Sequence, residues 1–115
     1  MGKAKYNQDI KETLDSFLLE YPGVAAGKMF GYPAYYIGKK LFACVYGNGV
    51  GVKVSENLAE DLIKTEGIVN FQPMERAKMK QWIQINRQEP DDYLKDKEIF
   101  KASIDHVLKT QSEGA

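Results

Sequence analysis

The spacing of apolar residues changes once in this chain, near residue 22, and that change decides the class of fold. Residues 10–21 place apolar side chains at steps of three and four, which predicts an amphipathic helix ending at Pro22-Gly23. Residues 24–54 instead form short runs rich in Val, Tyr, Phe and Ile, separated by glycine and proline. The sequence therefore predicts one helix and then an antiparallel meander, with strands near residues 24–30, 34–37, 40–46 and 50–54.

The middle of the chain adds a second helix and a further strand. The helix begins after Ser55, whose side chain can cap it, and ends near Gly67. Residues 68–78 are predicted to form an irregular connection. Residues 79–85 then alternate as a fifth strand, with Trp82 on the side opposite the two isoleucines.

The last part of the chain is predicted to be helical. Pro90 suits the first turn of a short helix, and Asp96 can cap the final one. We therefore expect residues 1–115 to form a single α+β domain: an N-terminal helix, an antiparallel β-meander, a helix, a further strand and C-terminal helices. Its core is expected to span about residues 7–110, and residues 111–115 form a polar tail.

The cysteine and histidine content excludes two common classes of small protein. Cys44 is the single cysteine, so it forms no intrachain disulfide, and with one histidine, His106, there is no cluster of soft ligands for zinc. The amino terminus has no apolar signal segment, and no stretch approaches the roughly 18 apolar residues of a membrane span. We therefore expect a soluble, cytoplasmic protein that contacts no membrane and holds no cofactor or metal.

Candidate catalytic groups are few. Ser103 and His106 lie three residues apart on the last helix, but no acid or set of oxyanion donors is predicted to complete the pair. Cys44 lies in a predicted strand, on the same side as Phe42, and is predicted to be a small buried apolar residue. The sequence therefore predicts that this protein is not an enzyme.

The formal net charge of zero conceals a separation of acidic from basic residues. Residues 24–54 contain four lysines and no acidic residue, and residues 76–87 contain four basic residues and no acidic one. The other eight basic residues and all 16 acidic residues lie in the remaining helices and loops. The predicted sheet is therefore basic, and the predicted helices are acidic.

Strand alternation assigns part of this basic charge to one surface. Lys28, Lys53 and Lys80 have apolar neighbours in sequence and are predicted to share the solvent face of the sheet. Such a face, with an aromatic ring beside the lysines, suits nucleic acid or an acidic protein surface. Two structural explanations remain open: lysines at sheet edges prevent aggregation, and the tryptophan can lie in a homodimer contact. The candidate binding residues are Lys28, Lys53, Arg76, Lys80 and Trp82.

Several separated motifs resemble the amino-terminal domain of the TfoX/Sxy family. The first motif is the run KMFGYPAYY at residues 28–36, which continues with Gly38 and LFA at residues 41–43. The run VKVSE at residues 52–56 resembles the strand-to-helix junction of that family. The F-x-P-M…M-K segment of that family resembles a stretch that follows Gly67 here, with FQPM at residues 71–74, Arg76, and MK at residues 79–80. The resemblance covers about residues 10–110.

This resemblance implies the same α+β fold and a relation to regulators of natural competence in bacteria, whose longer chains carry a further C-terminal domain. It implies no catalytic constellation. We therefore expect a non-enzymatic regulatory or binding module that acts through a protein partner or a second copy of itself. The alternative is nucleic-acid binding through the basic sheet face. A less favoured alternative is a small enzyme with a cleft beside Cys44, Phe71 and Met74.

Overall fold

The computed structural model describes residues 5–73 and 79–113. The helices are α1 (Gln8–Leu18), α2 (Glu56–Leu62) and α3 (Lys97–Glu113), and a 3-10 helix (Pro90–Asp96) leads directly into α3. The strands are β1 (Val24–Met29), β2 (Tyr32–Ile37), β3 (Lys40–Tyr46), β4 (Gly49–Lys53), β5 (Ile68–Asn70) and β6 (Trp82–Ile85). The predicted α+β class is confirmed.

The six strands of the described residues form one antiparallel sheet in the order β1-β2-β3-β4-β6-β5. Because β6 pairs with β4 on one side and β5 on the other, β1 and β5 are the two edges. The four strands of the meander lie within two residues of their predicted bounds. β5 was not predicted, since its three residues are too few to show an alternating pattern.

Both of the first two helices begin at a side-chain cap. The Asn7 side chain accepts hydrogen bonds from the backbone N–H groups of Asp9 and Ile10 at 2.9 and 3.2 Å. The Ser55 hydroxyl accepts one from the N–H of Leu58 at 3.2 Å, as predicted. Caps of this kind stabilise a helix by about 1 kcal/mol, because they satisfy donors that have no partner within the first turn.

One side of the sheet, here called the helix face, packs against the three α-helices and forms the main core. Alternate strand residues such as Tyr35, Val52 and Ile83 point into this core and are almost fully buried. α1 and α3 meet there through the rings of Phe17 and Phe100, whose centroids are 5.5 Å apart. Each buried side chain of this size contributes roughly 1.5–3 kcal/mol, so the helix face supplies most of the stability.

A β-bulge changes the alternation of side chains within β3. Tyr35 pairs with Ala43 while Tyr36 pairs with Leu41, so Phe42 is the extra residue. Phe42 and Ala43 therefore both contribute to the core of the helix face, whereas Cys44 belongs to a cluster on the other side of the sheet. The prediction that Cys44 and Phe42 share one side of the strand was wrong, because simple alternation does not foresee a bulge.

A salt bridge between Arg87 and Asp96 connects the end of β6 with the start of α3. Asp96, which was predicted to cap the last helix, is only 7% exposed and accepts hydrogen bonds from Nε and Nη2 of Arg87 at 2.9 and 2.7 Å. Nη1 of Arg87 also donates to the backbone oxygen of Glu66 at 3.1 Å. α3 then continues to Glu113, so three residues of the predicted polar tail are helical. Within the described residues, no helix is both long and apolar enough to cross a membrane.

Candidate functional site

The side of the sheet opposite the three α-helices carries a second apolar cluster, here called the aromatic face. Its buried members are Ala34, Cys44 and Phe71, and its partly buried members are Met29, Tyr36, Leu41, Tyr46, Met79 and Trp82. An antiparallel sheet with helices on one side commonly turns polar residues to water on the other. This sheet instead presents apolar and aromatic side chains on both sides.

Phe71 is the centre of the aromatic face. Although it follows β5 at the sheet edge, its ring is only 1% exposed and lies over Gly51 of β4. The ring contacts Tyr46 edge-on at 5.7 Å and Trp82 at 5.6 Å, measured between ring centroids. A Cβ atom at residue 51 would come within 2.8 Å of two atoms of the Phe71 ring. Glycine at residue 51 is therefore what lets Phe71 pack directly on the sheet.

A groove of about 170 Å³ runs beside Phe71 on this face. The described residues that line it are Met29, Phe30, Leu41, Phe71, Pro73, Met79 and Trp82. None of these side chains carries a charge, and the volume is below the roughly 300–1,000 Å³ of typical small-molecule pockets. The groove therefore suits one or two apolar side chains better than a cofactor.

Phe30 lines this groove, and neither its backbone conformation nor its exposure is explained by packing in the core. The sequence predicted it as the last residue of β1, but the strand ends at Met29 and Phe30 forms the two-residue turn with Gly31. Both residues have positive φ, +50° and +87°, which is the conformation of a turn that favours Asn-Gly. A left-handed conformation costs a non-glycine residue roughly 1–2 kcal/mol. Phe30 is also 72% exposed, so its ring regains little of that cost by burial.

Lys53 and Trp82 are the two predicted binding residues that the structure brings together. They lie directly opposite each other in the pairing of β4 with β6. Because residues paired in this way point to the same side, the Lys53 side chain lies next to Trp82 on the aromatic face. The two residues therefore share one side of the sheet, as alternation predicts, and form a half-buried cation beside an aromatic ring. Their role in binding stays a prediction.

Lys28 does not lie on this face, so its prediction is corrected. Lys28 pairs with Pro33, which alternates with Ala34 of the aromatic face, and the lysine therefore points to the helix side of the sheet. Its neighbour Met29 points to the aromatic face. The prediction assumes that only one side of the sheet is apolar, so that a lysine between apolar neighbours points to solvent on the other side. That assumption fails here because both sides of the sheet are apolar.

The other two basic candidates do not join Lys53. Lys80 lies exposed in the turn before β6 and lines a cleft together with Glu56 and Glu60 of α2. Arg76 lies outside the described residues. The four candidates in the part of the chain that the structure describes therefore form no continuous basic surface.

The candidate catalytic residues have separate structural partners. The Ser103 hydroxyl is buried and donates to the backbone oxygen of Phe42 at 3.3 Å, whereas Nε2 of His106 lies 3.1 Å from the amide oxygen of Gln81. Burial of Cys44 beneath the aromatic face raises the pKa of its thiol to about 12. The thiol is therefore protonated at neutral pH, and these three residues do not form a nucleophile with its base.

A further, acidic cleft of about 460 Å³ lies between α1 and the 3-10 helix. Asp9, Glu12, Glu89 and Asp91 line it. In residues 5–73 and 79–113, no group of three or more His, Cys, Asp or Glu side chains is placed to hold a metal ion. All four carboxylates are exposed, so they are solvated charges beside α1 and the 3-10 helix.

A cleft beside Phe71 was among the sequence-based alternatives, as part of a small enzyme, and the groove lies there, whereas Met74 lies outside the described residues. The exposed ring of Phe30 was not predicted, although Phe30-Gly31 occupies a hairpin position where asparagine or glycine is usual. Comparison with protein-family models, with curated proteins and with solved structures gives no match.

Proposed function

We propose that this chain is a non-enzymatic binding module that takes an apolar segment of a partner protein in the groove of the aromatic face. The observation that carries the proposal is Phe30, an exposed aromatic ring held in a left-handed turn at the rim of that groove. Strained residues of this kind are retained where they serve binding. Aromatic residues are also the side chains most enriched at the centres of protein interfaces.

The charges on the aromatic face favour a protein partner over nucleic acid. Nucleic-acid affinity depends on several simultaneous phosphate contacts. Among the described strand residues, Lys53 is the one lysine on this face, since Lys28 of β1 and Lys40 of β3, which pairs with the core residue Ile37, point to the other side. A single lysine next to an uncharged groove suits an apolar segment that carries a nearby carboxylate.

The resemblance to TfoX/Sxy amino-terminal domains supports a regulatory use of this binding. That resemblance implies a relation to bacterial competence regulators and no catalytic constellation. A regulatory module needs a surface that recognises another protein, and the groove supplies one of suitable chemistry. The proposed setting is the bacterial cytoplasm.

The experiment starts from a phage-displayed library of short random peptides selected against the full chain. Trp82 is the single tryptophan and lines the groove, so its fluorescence reports occupancy directly. We expect selected peptides to change the Trp82 emission and to lose at least tenfold in affinity on Phe30→Asn. Leu108→Gln is the matched control, because Leu108 is an exposed apolar residue (44%) on α3, away from the groove.

Two results would overturn the proposal. The first is a library that yields no enriched peptide, or peptides that bind the Phe30→Asn variant as tightly as the unchanged chain. The second is salt-sensitive binding of a labelled DNA duplex or single strand, with quenching of Trp82, in the absence of peptide binding. That second result would make the same face a nucleic-acid surface.

A further inference from the structure

The first strand leaves one side of its backbone without a strand partner. β1 is an edge of the sheet and, within the described residues, pairs only with β2. Its four central residues are exposed, and the opposite edge, β5, is only three residues long. An exposed edge strand presents unpaired N–H and C=O groups that an extended chain can pair with.

The register shows which backbone groups of β1 point outward. A two-residue turn makes Met29 and Tyr32 the closing hydrogen-bonded pair, so Gly27 and Ala25 also bond to β2 by alternation. Ala26 and Lys28 then direct their N–H and C=O groups away from the sheet. Two observations agree: Lys28 lies opposite Pro33, which has no N–H, and its carbonyl accepts the Tyr36 hydroxyl at 2.9 Å instead of a ladder bond.

On the aromatic face, the β1 edge leads into the groove. The ring of Tyr36 lies across Gly27, where an added Cβ would be 3.1 Å from it, and this ring is half-buried. Met29 and Phe30 follow at the end of the strand and line the groove itself. A strand added to β1 would therefore turn every second side chain toward Tyr36, Met29 and Phe30.

On the helix side, the same edge is basic. Lys28 is exposed and takes part in none of the ion pairs among the described residues. The intervening side chains of an added strand would point to this side, next to Ala26 and Lys28. A carboxylate there would meet a cation that has no intramolecular counter-ion in the described part of the chain.

We propose that the partner binds as an extended segment that adds to β1 as a further strand of the sheet, with apolar residues toward the groove alternating with acidic residues toward Lys28. This inference rests on the proposed function and specifies the conformation and sequence pattern of the partner. Backbone hydrogen bonds to the N–H and C=O of Ala26 and to the N–H of Lys28 hold the segment, because the Lys28 carbonyl already accepts the Tyr36 hydroxyl. The groove and the Lys28 ammonium select the side chains of the segment.

A second copy of the chain fits this edge less well. Two copies could pair through antiparallel β1 strands. The outward N–H and C=O groups of Ala26 and Lys28 then meet one another in the register that places Ala26 of each copy opposite Lys28 of the other. That register sets the two lysines on a diagonal across the seam, about 7–8 Å apart, where they repel. Lysine on an edge strand is a common device against pairing of like edges. An acidic segment has the complementary charge.

The test uses the peptides selected above and changes only the backbone contacts. Ala26→Pro removes an outward N–H without removing a bond to β2, and edge strands tolerate proline at such positions. Ala26→Val keeps the N–H and is the matched control. We expect selected peptides to show the alternating pattern, to bind Ala26→Pro about tenfold more weakly, and to bind Ala26→Val within about twofold of the unchanged chain.

A second measurement leaves the protein unchanged. Peptides carrying N-methyl groups on one backbone edge keep their side chains but cannot pair with a strand on that edge. We expect methylation of one edge to remove binding and methylation of the other to preserve it. Bound peptide should also slow hydrogen exchange at the amides of Ala26 and Lys28.

The outcomes separate this inference from the proposed function. Peptides that lose affinity on Phe30→Asn but tolerate both Ala26→Pro and N-methylation would overturn edge pairing and leave the groove as the binding site. Peptides that tolerate Phe30→Asn would overturn the proposed function itself. Self-association in sedimentation that Ala26→Pro abolishes would show that a second copy takes the edge, and would overturn the acidic segment as its occupant.

Discussion

The helix face and the aromatic face of the sheet are built from the same kinds of side chain but buried to different extents. On the helix face, even the polar atoms are paired: the Tyr35 hydroxyl donates to Asp15 at 2.6 Å, and the Tyr93 hydroxyl to the backbone oxygen of Ile85 at 2.8 Å. On the aromatic face, Met29, Leu41 and Trp82 remain only partly buried around Phe71.

This difference indicates a division of roles between the two sides of one sheet. The helix face is covered by three helices. In the described residues, every buried side-chain nitrogen and oxygen atom has a hydrogen-bond partner. The aromatic face retains an uncharged groove and an exposed ring at its rim. Stability should therefore depend mainly on the first side, and binding on the second.

The largest expected effect is the loss of a ring from the helix face. Phe100→Ala removes a fully buried side chain that also packs on Phe17, and we expect a loss of about 3–5 kcal/mol in the free energy of unfolding. Urea denaturation followed by circular dichroism measures this loss. Trp82→Leu, which removes a partly buried ring from the aromatic face, should cost clearly less. Equal losses would contradict the division between the faces.

Alkaline pH should weaken both faces through groups that are buried in their neutral form. Burial raises the pKa of Tyr93, on the helix side, and of Cys44, under the aromatic face, each to about 12. Because both values lie above those of the unfolded chain, the stabilisation is complete below about pH 9 and is lost as pH rises toward 12. Thermal unfolding measured across this range should show the decline.

The two contributions to this decline can be separated by substitution. Tyr93→Phe and Cys44→Ala should each make the fall in melting temperature shallower, whatever they do to stability at pH 7. A slope that neither substitution changes would show that other groups, such as the buried Tyr35, cause the decline. In the native protein at pH 8, Cys44 should also react with iodoacetamide far more slowly than it does in urea.

A smaller effect is expected when the packing of the aromatic face is disturbed from below. Gly51→Ala brings a Cβ within 2.8 Å of the Phe71 ring, which must move, and we expect a cost of about 1–3 kcal/mol together with a changed Trp82 emission. Gly27→Ala on the same face is the control, because the ring it meets belongs to the half-buried Tyr36. An unchanged emission from Gly51→Ala would mean that Phe71 does not support the groove wall.

Sequence reasoning recovered the elements of this fold better than its surfaces. The spacing of residues 10–21 and the cap at Ser55 depend on nearest neighbours along the chain, and both predictions hold in outline, although α1 ends three residues earlier than the spacing suggested. The register of the sheet depends on contacts between distant segments. The bulge at Phe42 arises in the pairing of β2 with β3, and the alternation of residues along β3 alone does not predict it.

The position of Lys28 shows the same limit for the candidate site. Alternation fixes which residues share a side but not which of two apolar sides meets the helices, so Lys28 was assigned to the wrong one. The Lys53–Trp82 pair was predicted, because both residues lie in strands whose core-facing neighbours are unambiguous. Phe71 reaches the centre of the aromatic face only because Gly51, twenty residues earlier, leaves room for its ring.

The smallest expected change in stability is also the one of opposite sign. Phe30→Asn replaces a strained, exposed aromatic residue with one that adopts positive φ readily and forms the preferred Asn-Gly turn. We expect the free energy of unfolding to rise by about 1 kcal/mol, measured by urea denaturation beside the Leu108→Gln control. A substitution that stabilises the fold yet removes peptide binding separates the two roles, because a merely structural residue would lose both together. If Phe30→Asn destabilises the protein instead, the ring belongs to the fold and the aromatic face loses its strongest claim to be a binding surface.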